Sequence, residues 1–551
     1  MSLGVHTLQS IRTIQCPQND YIRITDVQDM DLNRVLSQTY ESFDEYLFKL
    51  KNPVLVVLIV GLILRILLLP LTNVDSEDWY RIGENIISGD GFYTRSGYHY
   101  GPAFGYLLSL SIIVCTYLFP LGTFSQQSDA MIALQPYFSF SPALQTIEFL
   151  ISFKLLMIVG DILCAFVVRW IVFGLTEDRK SSDLAFALVF LSPIIFIESG
   201  VHGMFDIYCG LLSLLSVYFV VKRKYFFAGM SWSAATLIKI FPAYLFPVLV
   251  AMIFRQHKGD TKAIAINLIQ AIAGFAVVFF MLYYPQIMDG TFMDTWEFLI
   301  GRVDNVESLV GKFSKYAWLM IPAVIAIIAL FLFIRKHPLP IKKINLNAKN
   351  SILIMCLIIL AVFAGLILIS GGITAMFSDI FHVSYVVGVG IQGFAFIVAF
   401  YLGYKLYQST LEDEMKLAVM VGTLAIAACF LWVPMPEYLI MILPLIVVYA
   451  VVYDRRYLTP YLLISFGSAF FIIMVEGPAA LFVSVAQYTD LVSIDLVIDL
   501  TKMYITEGFV IGDYSILQLL FCVIGAAAQL AGTVLLFVYR FRPYRKEEHR
   551  I

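Results

Sequence analysis

The chain has 551 residues, of which 60% are hydrophobic and only 14% charged, far from the roughly 45–50% apolar and 25% charged composition of a soluble domain. Apolar runs of about 18 residues or more recur throughout, the pattern of transmembrane helices, so the expected fold is an all-α polytopic bundle of about 11–13 spans. A formal net charge of -3 argues against nucleic acid as a partner. The seven cysteines are scattered with no CxxC pair, which suggests neither a metal site nor a disulfide framework.

In chain order, residues 1–50 are polar and lack a positively charged start followed by an apolar core. They are expected to form a cytoplasmic tail and not a cleavable signal. A membrane domain is expected over 51–541, and a basic cytoplasmic tail over 542–551. The first apolar run, Pro53 to Leu71, leads into NVDSEDWYRIGENIISGDGFYTRSGYHYGPAF, Asn73 to Phe104. Here Asp75, Glu77, Asp78, Glu84 and Asp90 lie among Trp79, Tyr80, Tyr93, Tyr98, His99 and Tyr100. Two further apolar runs follow, Ala103 to Leu121 and Ile147 to Phe173. If both crossed, the next helix, Leu184 to Ile197, would be inverted; Ala103 to Leu121 is therefore expected to be re-entrant or surface-lying. Residues Phe226 to Phe254 are basic at both ends and interrupted by Lys239 and Pro242, which predicts two short helices meeting within the membrane. Such interruptions are tolerated where protein or a cavity satisfies the backbone.

Loop charge sets the orientation. Arg179-Lys180, Lys222 to Lys224, Arg255 to Lys262, Arg335 to Lys349, Lys405 to Lys416, Arg455-Arg456 and the tail from Arg540 together hold 22 Lys and Arg. The opposite segments, Thr72 to Pro102, Gly122 to Thr146, Pro285 to Tyr316, Gly371 to Val383, Pro434 to Glu437 and Gly477 to Asp513, hold 6. By the positive-inside rule the acidic first loop faces outward. Four polar clusters then share the outer face, within 72–146, 198–206, 285–316 and 434–437. They comprise the Asp75 loop; LSPIIFIESGVHGMFD with Glu198, His202 and Asp206; the loop with Asp289, Asp294, Trp296, Glu297, Arg302, Asp304, Lys312 and Lys315; and PMPEYLI with Glu437 and Tyr438. Solvated loop charge explains many of these acids. Asp75, Glu198 and Asp206 stand out because ionisable groups at helix ends in a membrane are costly unless used. Lys239 lies 15 residues from Lys224 and 16 from Arg255, some 22 Å along a helix from either basic end. It therefore needs an anionic partner or ligand, with Asp206 as the structural alternative.

The order NVD, GDGFY (Gly89 to Tyr93), YHYGP (Tyr98 to Pro102), FKLLMIVGDIL (Phe153 to Leu163), LSPIIFIESGVHGMFD, IKIFPAYLFP (Ile238 to Pro247) and PEYLIMILPL (Pro436 to Leu445) resembles the glycosylphosphatidylinositol mannosyltransferase I family. That family sits within the GT-C fold glycosyltransferases that use polyprenyl-phosphate sugars. The resemblance implies an inverting hexosyltransferase, mannose being the expected sugar, acting on a lipid-linked or glycan acceptor at the outer or luminal face. Asp75 would be the catalytic base. Asp78, Tyr98, His99, Glu198, His202, Asp206, Lys239, Arg302, Glu437 and Tyr438 would bind substrate. His202, Arg302 and Lys239 are candidates to meet the leaving phosphate, and the prenyl chain would lie among membrane lipids. Asn73 stands where the family has its first acid, so no cofactor is expected and a divalent metal is disfavoured. His202-Gly203 replaces an Arg-Gly pair, and residues 122 to 146 look like an insertion. These departures suggest a related enzyme with another acceptor, in a plasma membrane, or in the endoplasmic reticulum for a eukaryotic source. The rival reading is a secondary transporter or lipid flippase, since broken helices with a mid-membrane lysine also mark transporters. No internal repeat pairs the halves, and the polar residues crowd one face.

Overall fold

The computed structural model describes residues 52–73, 75–89, 100–118, 125–127, 143–145, 147–293, 394–431, 436–505, 510–511 and 514–541. Contacts divide the chain into Met1–Pro53, of which only the last two residues are described, and Val54–Ile551. The second unit is helical: α1 Pro53–Leu68, α2 Asp75–Ser88, α3 Pro102–Leu118, α4 Ile147–Thr176, α5 Arg179–Phe190, α6 Pro193–Ile197, α7 Asp206–Val221, α8 Tyr225–Ile238, α9 Phe246–Gln256 and α10 Thr261–Met288. Residues 394–408 are helical, followed by α11 Glu414–Ala427, α12 Leu443–Val452, α13 Leu458–Tyr488, α14 Ile494–Ile505 and α15 Ile516–Phe541. The strands described form only two short antiparallel pairs, Ser125–Gln127 with Ala143–Gln145 and Val510–Ile511 with Tyr514–Ser515.

Among the described residues four helical stretches are long and apolar enough to cross a membrane, Ile147–Thr176, Thr261–Met288, Arg455–Met474 and Leu520–Arg540. A fifth span results if Arg179–Phe190 and Pro193–His202, bent by 46°, act together; shorter apolar helices surround them. The protein is an all-α polytopic membrane protein. Its interior is built on α11 and α12, whose side chains are buried nearly all round, as expected of a helix apolar on every face. α1 is the opposite case. Only Val57, Gly61 and Arg65 are buried along it, while Leu55, Ile59, Ile63, Ile66 and Leu67 are exposed, a lipid-facing pattern.

Local chemistry explains the helix ends. Asp178, Asp260 and Asp413 accept hydrogen bonds from backbone N–H groups of the first turns of α5, α10 and α11, filling donors that a helix start leaves open. Asp178 is held below its usual carboxylate range, first by the Ser181 hydroxyl and then by backbone N–H groups. Asp260 and Asp413 lie in, and Asp178 directly precedes, the basic segments expected at the inner face. Two expectations are refined. Leu184 to Ile197 is not one helix: α5 ends at Phe190, and Ser192-Pro193 restarts it at an angle. Gly477 to Asp513 is not simply a loop. α13 runs unbroken through Gly477-Pro478 to Tyr488, and α14 occupies Ile494–Ile505.

The break expected at Lys239 is present. α8 stops at Ile238, Lys239 is extended (φ −145°, ψ 143°), and Phe241–Leu245 forms a 3-10 turn before α9. The start of α8 and the end of α9 lie together, because the Tyr225 hydroxyl donates to Gln256 Oε1 at 2.8 Å. α8 and α9 thus form a hairpin whose tip is the 239–245 break. α10 runs alongside α8, with Leu237 packed against Val278 and Tyr283 and Trp232 against Phe275. The helix over Ala103 to Leu121 is observed as α3, packed on α2, α4 and α8.

Candidate functional site

The site lies where the hairpin tip, the α6–α7 junction, the start of α2 and the turn before α12 meet. At its centre is an aromatic cluster. Trp79 of α2 packs edge-on to Phe104 (4.9 Å between ring centroids), with Tyr100 at 5.6 Å and Phe205 at 6.2 Å. Phe104 and Phe205 stack at 3.5 Å. The chain enters α3 through Tyr100-Gly101-Pro102. A Cβ on Gly101 would lie 1.7 Å from the carbonyl oxygen of Leu237, so only glycine lets this strand of backbone lie against the end of α8.

On one side of the cluster is a buried ion pair. Lys239 Nζ donates to both carboxylate oxygens of Asp206 at 2.8 and 3.0 Å. Both residues are buried, at 5% and 0% exposure. Asp206 is the first residue of α7 and Lys239 follows the last residue of α8, so each charge also sits at the helix end of opposite polarity. Three rings enclose the ammonium: Tyr438 at 4.0 Å, Phe205 at 5.2 Å and Tyr100 at 5.5 Å from the ring centroids. Desolvated cation–π contacts are worth about 2 kcal/mol or more. Tyr438 comes from the 3-10 turn Pro436–Ile442, packs on Phe241 at 4.8 Å, and stands beside half-buried Glu437.

On the other side, α6 runs into a single π turn, Glu198–His202, that ends at Gly203 with φ +67°. This left-handed residue reverses the chain tightly enough to start α7 three residues later, and π turns recur at functional sites. Glu198 and His202 are both buried, with His202 Nδ1 3.6 Å from Glu198 Oε2. Below them Arg65 of α1, fully buried, donates to Asp161 Oδ2 at 2.7 Å and to Ser199 Oγ at 3.3 Å. Lys154 of α4, also fully buried, donates to the carbonyl oxygens of Leu69, at 3.0 Å, and of Leu71.

Of the residues expected from the sequence, the structure brings Asp206, Lys239 and Tyr438 into direct contact, with Glu437 adjacent to Tyr438, and Glu198 and His202 across the aromatic cluster. Asp75 opens α2 and Asp78 lies in the same first turn; their side chains are outside the described residues, as are Tyr98, His99 and Arg302. Acids in a first helical turn also complement the macrodipole, so part of that cluster has a purely local reason. Asn73, expected in place of an acid, caps α2: its Oδ1 accepts from Ser76 N–H at 3.0 Å. Of the third outer cluster, Asp289 ends α10 and Asp294 to Lys315 lie outside the described residues. The end of α10 reaches the site's side of the bundle, since the Tyr106 hydroxyl of α3 donates to Leu282 O at 2.9 Å. Arg65, Lys154 and Asp161 were not expected. Their signal was present as ionisable groups embedded in apolar runs.

The arrangement is a buried aromatic core, entered by Trp79 of α2 and flanked by the Asp206–Lys239 pair on one side and by Glu198 and His202 on the other. Residues 137–368, less than half of the chain, match the model of Glycosyltransferase family 87. The stretch takes in Lys154, Glu198, His202, Asp206 and Lys239 and begins after Asp75. A search of curated proteins finds no match to the chain. The family match supports a glycosyltransferase with a sugar donor and an acceptor in a membrane setting; the narrower likeness to the mannosyltransferase I family does not gain support from it.

Proposed function

We propose that the protein is an inverting hexosyltransferase of the outer membrane face, moving a hexose, with mannose the first choice, from a polyprenyl-phosphate sugar to a lipid-linked or glycan acceptor. The catalytic domain would be 51–541, between cytoplasmic tails, in a plasma membrane or, for a eukaryotic source, the endoplasmic reticulum. The observation that carries this reading is the convergence of the acidic start of α2 with an aromatic cluster flanked by two buried polar groups, in a chain that partly matches a glycosyltransferase family.

The chemistry needs little acid assistance, because a polyprenyl phosphate is already a good leaving group. One carboxylate must take the acceptor proton as the hydroxyl attacks C1 from the face opposite the phosphate. Asp75 is assigned that role, with Asp78 beside it. The departing phosphate needs donors or a cation. Lys239 is engaged by Asp206, so its pair with Asp206 is read as holding the aromatic core in place, and Arg302 and His202 are the first candidates for the phosphate. Tyr98, His99, Glu198, Glu437 and Tyr438 would orient the sugar or acceptor. The hairpin broken around a buried ion pair also suits a lipid flippase, and one assay separates the two. Purified protein given polyprenyl-phosphate mannose or glucose with a lipid acceptor extract should release polyprenyl phosphate and form a glycosylated product. Movement of the intact donor across vesicles without its cleavage would favour the flippase.

A further inference from the structure

We infer that Lys154 is a positioning residue that sets where Asp75 stands, by clamping the end of α1 to α4; the inference rests on the reading of Asp75 as the base. The buried face of α1 is a single row, Val57, Gly61 and Arg65, and apolar side chains facing lipid supply no drive toward one register. Gly61 and Arg65 pack on Phe190 and Leu68 on Gly200. Polar contacts hold the C-terminal end: Arg65 is bound to Asp161 and Ser199, and Lys154 to the carbonyl oxygens of Leu69 and Leu71. Lys154 and Asp161 are seven residues apart in α4, two turns along one face, so both clamps act along the same line.

The Lys154 clamp lies at the point that matters for the site. α1 ends at Leu68 and α2 begins at Asp75, so only six residues separate the clamped helix from the proposed base. Carbonyls beyond a helix end need donors where water is scarce, and a cation there is further favoured by the macrodipole. A lysine reaching across from a second helix provides both. Among the described residues its hydrogen-bond partners are these two carbonyls. The linker is then tied twice more. Thr72 N–H donates to Leu481 O of α13 at 3.3 Å, and Asn73 Oδ1 caps Ser76. Asn73 Oδ1 reaches Ser76 directly, so the ammonium's position is passed on through Leu71 and Asn73 to the first turn of α2. Lys154 is 0% exposed and its ammonium is taken up by the two carbonyls, so it acts through α1 and not by touching substrate.

The test is a cycle of four proteins, wild type, Lys154→Met, Asp75→Asn and the double variant, assayed for hexose transfer with kcat and KM measured separately. Methionine keeps the volume of the lysine stem and removes the donors. Misplacing a reacting group by about 1 Å can cost up to about 100-fold in rate, so Lys154→Met should lower kcat by about 10-fold to 100-fold. Its donor KM should stay within a few-fold, because the loss falls on the transition state. On the Asp75→Asn background the same substitution should cost nothing further. Lys154→Gln, whose amide can still donate to one carbonyl, should recover part of kcat and guards against a Met variant that does not fold. Equal loss in both backgrounds, or a raised KM with kcat kept, would overturn the positioning role while leaving Asp75 as the base. Asp75→Asn active within a few-fold of wild type would instead bring down the base itself, and the inference with it.

Discussion

Lys239→Met leaves Asp206 fully buried and without its cation, while keeping most of the stem's volume under Tyr438. Breaking one partner from a buried pair costs about 3–5 kcal/mol, of which about 2 kcal/mol could be the lost contact with the rings. A loss of about 4 kcal/mol lowers the folded-to-unfolded ratio nearly a thousandfold, since each 1.4 kcal/mol is a factor of about ten. Asp206→Asn should be similarly harmful because it strands the ammonium. The double variant removes both charges and should be more stable than either single change, while transfer activity stays low because the aromatic core is altered. Stability would be followed by reversible unfolding in mixed micelles, with activity measured in parallel. If the two losses simply add, within about 0.5 kcal/mol, the two side chains do not form the pair described.

Three further outcomes are expected. Single cysteines at Ser88 and Gly290 should react with a membrane-impermeant thiol reagent from the outer side and those at Gly259 and Glu412 from the inner side; Ser88 and Gly290 on opposite faces would break the convergence of the site. Gly101→Ala places a methyl group against the Leu237 carbonyl and should cost about 1–3 kcal/mol of stability together with activity, whereas Gly174→Ala, in α4 with open space around it, should affect activity little. Asp178→Ala should cost about 1 kcal/mol at neutral pH. Because the native carboxyl of Asp178 is depressed, its contribution is present above the unfolded pKa and fades as pH falls through the folded one, so wild type and variant should converge in stability in acid.

The membrane class and the broken hairpin were legible because each leaves a one-dimensional trace: apolar length, and a lysine too deep to reach either surface beside Pro242. The Asp206–Lys239 pair could be anticipated as an alternative, since a buried cation needs an anion and few acids were within reach. The π turn at Glu198–His202 could not, because it depends on Gly203 lying against the ring of Phe153, a contact between distant segments. Asn73 carried a capping signal that the comparison with a paired-acid motif obscured. Lys154 and Asp161 were readable in principle as charges within an apolar helix, but their partners, two carbonyls and an arginine on α1, became visible only in three dimensions. α13 runs through Gly477-Pro478 against the local preference to stop, with α14 and α15 packed along it.

The central claim is that an acid at the start of α2 takes the acceptor's proton at the outer face. Its most direct test is transfer from polyprenyl-phosphate hexose by Asp75→Asn, compared with wild type and Asp78→Asn, in protein shown to be folded and to bind the donor. Loss of a general base should reduce turnover by about 10²-fold or more with donor binding retained, and Asp78→Asn should fall less. Turnover by Asp75→Asn within a few-fold of wild type would contradict the account and move the base elsewhere.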